Sequence, residues 1–161
     1  MSHEGWFLPI MSQIANLHPL DFLNALTTIH PWWHTRGSRF IGFLTFHKEV
    51  ILAFQSSLAT VSADAFYPPP LANPSPPYNP ALDTINDLNQ FSAQIEGWHN
   101  MVHMSPQFPP IFMDPARNIY LYQFWQFHHL IDQKFDQALM RAGYSDFDAF
   151  RLTGGDLHRT V

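Results

Sequence analysis

Six of the ten histidines in the chain fall into two triplets of nearly equal layout: His30 and His34 with His47, and His99 and His103 with His128. Each triplet opens with a pair spaced i, i+4 and is completed by one histidine from a later segment. Residues four apart on a helix share a face, with Cβ atoms about 5–6 Å apart, so such a pair aims two imidazoles at one point. A third imidazole from a facing helix completes a three-nitrogen metal site. Two such triplets in 161 residues predict a two-metal centre. The chain has no cysteine, which removes thiolate ligands and leaves imidazole as the main donor, a ligand suited to copper or zinc.

Carboxylates near the triplets are few: Glu49, Glu96, Asp114 and Asp132. Carboxylate-bridged di-iron proteins repeat Glu-x-x-His on two helices and add further glutamates. Here Glu96 and His99 fit that spacing once, and the first half has no counterpart. His47 and His128 stand among apolar and aromatic residues, where an imidazole without a partner is costly to bury. His3, His18 and His158 have no such setting and read as structural or solvent-exposed.

These side chains need helices to hold them. Residues 19–30 carry Leu20, Phe22, Leu23 and Leu26 in a helical rhythm, with Pro19 suited to the first turn. Pro31 predicts an interruption there, so that His30 ends one helix and Trp32 to His34 begin the next turn. Residues 39–58 read as a long, mostly buried helix carrying His47. Residues 66–80 are too rich in proline for a helix or a central strand and form a connector between the two triplets. Helical patterning resumes over residues 83–103, breaks over a loop at 105–115, and returns over 117–142 with His128, where Gly143 ends the helix. A short helix follows at 146–152. The expected fold is all-α, a four-helix bundle core with a dinuclear metal site between the helices and long proline-rich loops.

The length fits a single domain over 1–161, with a first metal half at 18–58, a connector at 65–81 and a second half at 83–142. A net charge of −5 leaves no basic face, which argues against nucleic acid or an anionic membrane as partner. No apolar run reaches the roughly 18 residues of a transmembrane helix, and no basic-then-apolar leader opens the chain, so a cytoplasmic location is expected. Oligomeric state is not written in the sequence.

The stretches around the histidines resemble the type-3 copper proteins, the tyrosinases, catechol oxidases and hemocyanins. Their second copper site reads His-Asn-x-Val-His and then Phe-Trp-x-x-His-x-x-Ile-Asp. The matching residues are His99-Asn100-Met101-Val102-His103 and Phe124-Trp125-Gln126-Phe127-His128 through Ile131-Asp132. Two adjacent histidines are usual there, with the second as ligand. The gapless match makes His128 the ligand and leaves His129 as the alternative. The first-site motif resembles Phe43-Leu44-Thr45-Phe46-His47-Lys48, marking His47 as third ligand, with His30 as first. The second ligand usually stands about nine residues before the third, where this chain has Ser38, and His34 is the nearest histidine. The family's Asp-Pro before Phe-Trp is displaced to Asp114-Pro115, implying an inserted segment. The resemblance covers about residues 18–140 and includes no C-terminal shielding domain, so the site is expected to be open or covered by the proline-rich and 106–110 loops.

The resemblance implies two copper ions and O2 as co-substrate. It further implies ortho-hydroxylation or oxidation of a small aromatic substrate, a phenol, catechol or o-aminophenol, to a quinone-type product. Asn100 resembles the family's asparagine that, with a glutamate, orients a water to take the phenol proton, and Glu96 is the candidate for that glutamate. A copper-delivery partner is a further expectation. Two alternatives stand beside this reading: a non-enzymatic dioxygen-binding protein, and a mononuclear zinc protein using only His99, His103 and His128.

Overall fold

The structure, a computed structural model, describes residues 9–36 and 41–153, and among them every regular element is helical. The helices are α1 (Pro9–Ile14), α2 (Pro19–Arg36), α3 (Gly42–Ala59), α4 (Leu88–His103), α5 (Tyr122–Arg141) and α6 (Phe147–Thr153). Short 3-10 turns stand at Asp64–Phe66, Pro80–Thr84, Pro110–Met113 and Asn118–Tyr120. Ser38, His3 and His158 lie outside the described residues. No helix among the described residues is long and apolar enough to cross a membrane.

α3 is the helix around which the others pack. It touches α1, α2, α4 and α5, and α4 in turn packs on α5. Its sequence explains this position: Phe43, Leu44, Phe46, Val50, Ile51, Ala53 and Phe54 bury residues on nearly every face, as a fully enclosed helix requires. One continuous apolar cluster runs from Met11 through Phe91, Ile95, Phe124 and Phe127 to Phe150, so the two histidine triplets share a single core.

α2 corrects the expectation drawn from Pro31. The helix runs unbroken from Pro19 to Arg36 with Pro31 inside it. An interior proline removes one hydrogen bond and costs about 3 kcal/mol. Against that, Phe22, Leu26, His30 and Trp33 are all buried on one stripe, and burying a large apolar side chain contributes about 1.5–3 kcal/mol each. Trp33 stacks flat on Phe46 of α3, with centroids 4.5 Å apart and planes within 1°. The stripe outweighs the break. At the start of α2, His18 acts as a cap, its Nδ1 accepting from Leu20 N at 3.1 Å.

Two other helices begin later than their periodicity implies. α4 starts at Leu88 rather than 83, because Pro80–Thr84 forms a 3-10 turn and the Asp87 side chain caps Gln90 N at 2.8 Å. α5 starts at Tyr122, after the Asn118–Tyr120 turn. Its end is as expected: Gly143 has φ +97°, Gly143 N donates to Met140 O and Tyr144 N to Leu139 O, the Schellman pattern. The proline-rich connector is irregular in its middle and is held by the second half. Trp98 Nε1 donates to Pro76 O, and Leu71 N to Gln126 O.

Candidate metal centre

Because α2 is continuous, His30 and His34 share a face through ordinary helical spacing, and α3 supplies His47 opposite them. The Nε2 atoms of His34 and His47 lie 3.0 and 3.4 Å from Nε2 of His30. α4 and α5 build the second triplet in the same way, from His99, His103 and His128. Within each triplet one nitrogen from each ring lies within 4.8 Å of the others, so each can hold one metal ion. The triplets face one another: His47 and His128 stack at 4.6 Å between centroids, and His34 and His99 lie parallel at 6.5 Å.

The outer nitrogens show how the rings are aimed. His30 Nδ1 donates to Pro115 O at 2.7 Å, His47 Nδ1 to Phe43 O at 2.8 Å and His103 Nδ1 to Phe112 O at 2.7 Å. His99 Nδ1 donates to Asn100 Oδ1 at 2.9 Å. A proton fixed on Nδ1 leaves the Nε2 lone pair pointing inward, the arrangement that metal-bound histidines use. Two buried rings have nitrogens with no hydrogen-bond partner, His99 at Nε2 and His128 at both, and each offers one of them to its triplet. A buried imidazole nitrogen without a partner is costly, and a metal ion satisfies it.

Electrostatics agree with a ligand role. Burial pulls His30 down to about 3 and His34 and His103 down to about 4. Burial holds His47, His99 and His128 well below the usual histidine range, with neighbouring imidazoles adding to the effect. All six rings are neutral at pH 7 and present free lone pairs. Six neutral imidazoles in two facing sets of three fit a pair of copper or zinc ions.

His128 and His129 part company here. His128 is buried between His47 and Phe124, whereas His129 Nδ1 turns outward to donate to Pro68 O at 2.8 Å. The loop between α4 and α5 takes a role the sequence leaves hidden. It supplies the Phe112 and Pro115 carbonyls, one to each triplet, and Asn118 Nδ2 also donates to Phe112 O at 3.1 Å. Thr27 of α2 pins the loop by donating its hydroxyl to Ala116 O.

A cavity of about 270 Å³ reaches the triplets from outside, lined by His34, His99, Asn100, His103, Met104, Met113, Pro115 and Asn118. Its outer wall comes from residues 104–118, while the proline-rich connector packs against Trp98 and His129 instead. Asn100 thus stands on the cavity wall. Glu96 is half-buried on α4, one turn before His99, and is not among the lining residues. The lining methionines and the orienting carbonyls carried no sequence signal, since any residue has a carbonyl and a lone methionine has no pattern. No family model matches the chain, and neither a curated protein nor a solved structure matches it.

Proposed function

We propose that the protein is a dicopper oxidoreductase that uses O2 to ortho-hydroxylate or oxidise a small aromatic substrate, a phenol, catechol or o-aminophenol. The carrying observation is the pair of neutral three-histidine sets that face each other at the inner end of one cavity. His30, His34 and His47 would hold one ion, and His99, His103 and His128 the other. Bound there, two copper ions supply the electron transfer between substrate and O2. In the oxidase direction two catechols each lose two electrons and two protons, and one O2 leaves as two waters.

The chain's own residues do the rest. At about 270 Å³ the cavity lies just below the usual range for ligand pockets, which suits a single aromatic ring. Pro115, Met104 and Met113 give it apolar walls, and its lining has no carboxylate, lysine or arginine to attract an ionic substrate. Phe124 and Phe127 pack against the inner histidines and exclude water behind them. Asn100 holds His99 and stands where it can orient an incoming hydroxyl. Glu96, one turn away, is the candidate to take the proton through a water. The opening of the cavity favours substrate oxidation over dioxygen carriage.

The test is anaerobic loading with cuprous ion, followed by O2. Two coppers per chain, a new near-ultraviolet band on oxygenation and O2 consumption with catechol or o-aminophenol are expected. Two coppers with neither band nor consumption would overturn the proposal, and a single zinc bound by the second triplet alone would replace it.

A further inference from the structure

We propose that Met104 and Met113 form a thioether intake site for cuprous ion at the cavity mouth, and that His34 and His103 receive the ion from it. The proposal rests on the copper reading above. Both methionines line the cavity that leads to the histidines, and they are 63% and 56% exposed. Met101 and Met140 are similarly exposed but lie outside the cavity, so it is the place on its wall that sets Met104 and Met113 apart. A thioether is soft and polarizable and binds copper(I), and with no cysteine in the chain methionine is its only sulfur donor.

The two histidines that continue the path are set apart by access. In each triplet the middle member, His34 or His103, is partly exposed, while the other two are buried. Both line the cavity with the methionines, beside the buried His99. Met104 directly follows His103 at the end of α4, and Met113 directly follows Phe112, whose carbonyl orients His103. An ion held by the two sulfurs would therefore share the cavity with His103, the partly exposed member of the second triplet, and His34, that of the first. The absence of carboxylates from the lining matches a singly charged soft ion better than a hydrated divalent one. The transfer changes ligands and leaves the copper oxidation state unchanged.

The experiment loads metal-free protein anaerobically from a coloured copper(I) chelate and follows the chelator. In parallel, silver(I), a redox-inert probe of the same softness, is titrated while methionine methyl resonances are recorded. M104L/M113L keeps side-chain volume at exposed positions, and M140L, at an exposed methionine outside this cavity, is the control. Uptake at least tenfold slower in the double variant, with final stoichiometry and zinc(II) uptake unchanged, is the expected result. The Met104 and Met113 methyls should shift at substoichiometric silver, and M140L should load like the parent. An unchanged loading rate overturns the intake site and leaves the copper reading standing. An equal slowing of zinc(II) also overturns it, since that marks general access rather than soft-ion capture. A parent protein that takes up no copper(I) overturns both.

Discussion

Lys48 Nζ lies 3.0 Å from Asp132 Oδ1 and 3.1 Å from Oδ2, joining the residue after His47 to the residue one turn after His128. Asp136 adds a further oxygen at 2.9 Å. The ion pair thus locks the register of α3 against α5, and with it the stacking of the two histidines that bring the triplets together. Burial pushes the Asp132 carboxyl up to about 6, with Lys48 opposing, so the pair is charged at pH 7.

Lys48→Met should therefore destabilise the fold by about 3–5 kcal/mol, since it strands a buried carboxylate without its cation. Chemical denaturation of the metal-free protein measures this. Lys48→Met with Asp132→Leu together should recover much of the loss, and a double variant as unstable as the single would refute the pairing argument.

Histidine replacements should separate ligands from neighbours by copper count. His34→Ala and His128→Ala each reduce the stoichiometry from two to one. His129→Ala keeps two, because its ring faces the Pro68 carbonyl. A loss of copper on replacing His129 would return that residue to the site.

The loop contacts predict a crossed pattern of affinities. Thr27→Val loosens the segment that presents the Pro115 carbonyl to His30, and should weaken the first site about 10–100-fold. Asn118→Leu removes the donor that steadies the Phe112 carbonyl, and should weaken the second site by a similar factor. Metal titrations of the two variants should show opposite sites affected, and an identical loss at both sites from either variant would refute the assignment.

Metal-free protein should be unusually sensitive to acid. Burial holds each of the six histidines below its unfolded value, so stability is full above about pH 6.5 and is lost as the pH falls through the folded values, about 3 for His30 and about 4 for His34 and His103. Asp132, raised in the fold, works in the opposite sense and offsets about one proton. With six rings acting in the same sense, the net loss by pH 5.5 should be a large share of the whole stability of a domain. Urea midpoints measured from pH 7.5 to 5.5 should collapse for the metal-free protein and hold better once it is loaded. A flat profile would mean that the rings are not buried as neutral imidazoles.

The helical class and the histidine geometry were legible because both rest on short-range periodicity. His99 and His103 are four apart on an uninterrupted helix, and Gly143 ends α5 by a local rule. Pro31 misled because its local penalty is visible in sequence, while the Trp33–Phe46 stacking that outweighs it is a contact between helices. The start of α5 was missed for a related reason: residues 118–121 are apolar enough to continue a helix, but they turn to serve the loop. Backbone carbonyls that aim side chains leave no trace in residue identity. Phe112 and Pro115 could be assigned only once the chain was folded.

The hydrogen bond from His30 to the Pro115 carbonyl has a consequence for how such a chain can be divided or inherited. His30 belongs to the first triplet, and the carbonyl that aims it comes from beyond the second triplet's paired histidines. Cut at the connector, the first fragment keeps all three of its histidines and loses the group that points one of them. The two triplets are thus not interchangeable cassettes, despite their matching spacing. A graft of the first triplet alone onto another scaffold would carry the donor atoms without the instruction for their direction, whereas the second carries the Phe112 carbonyl with it.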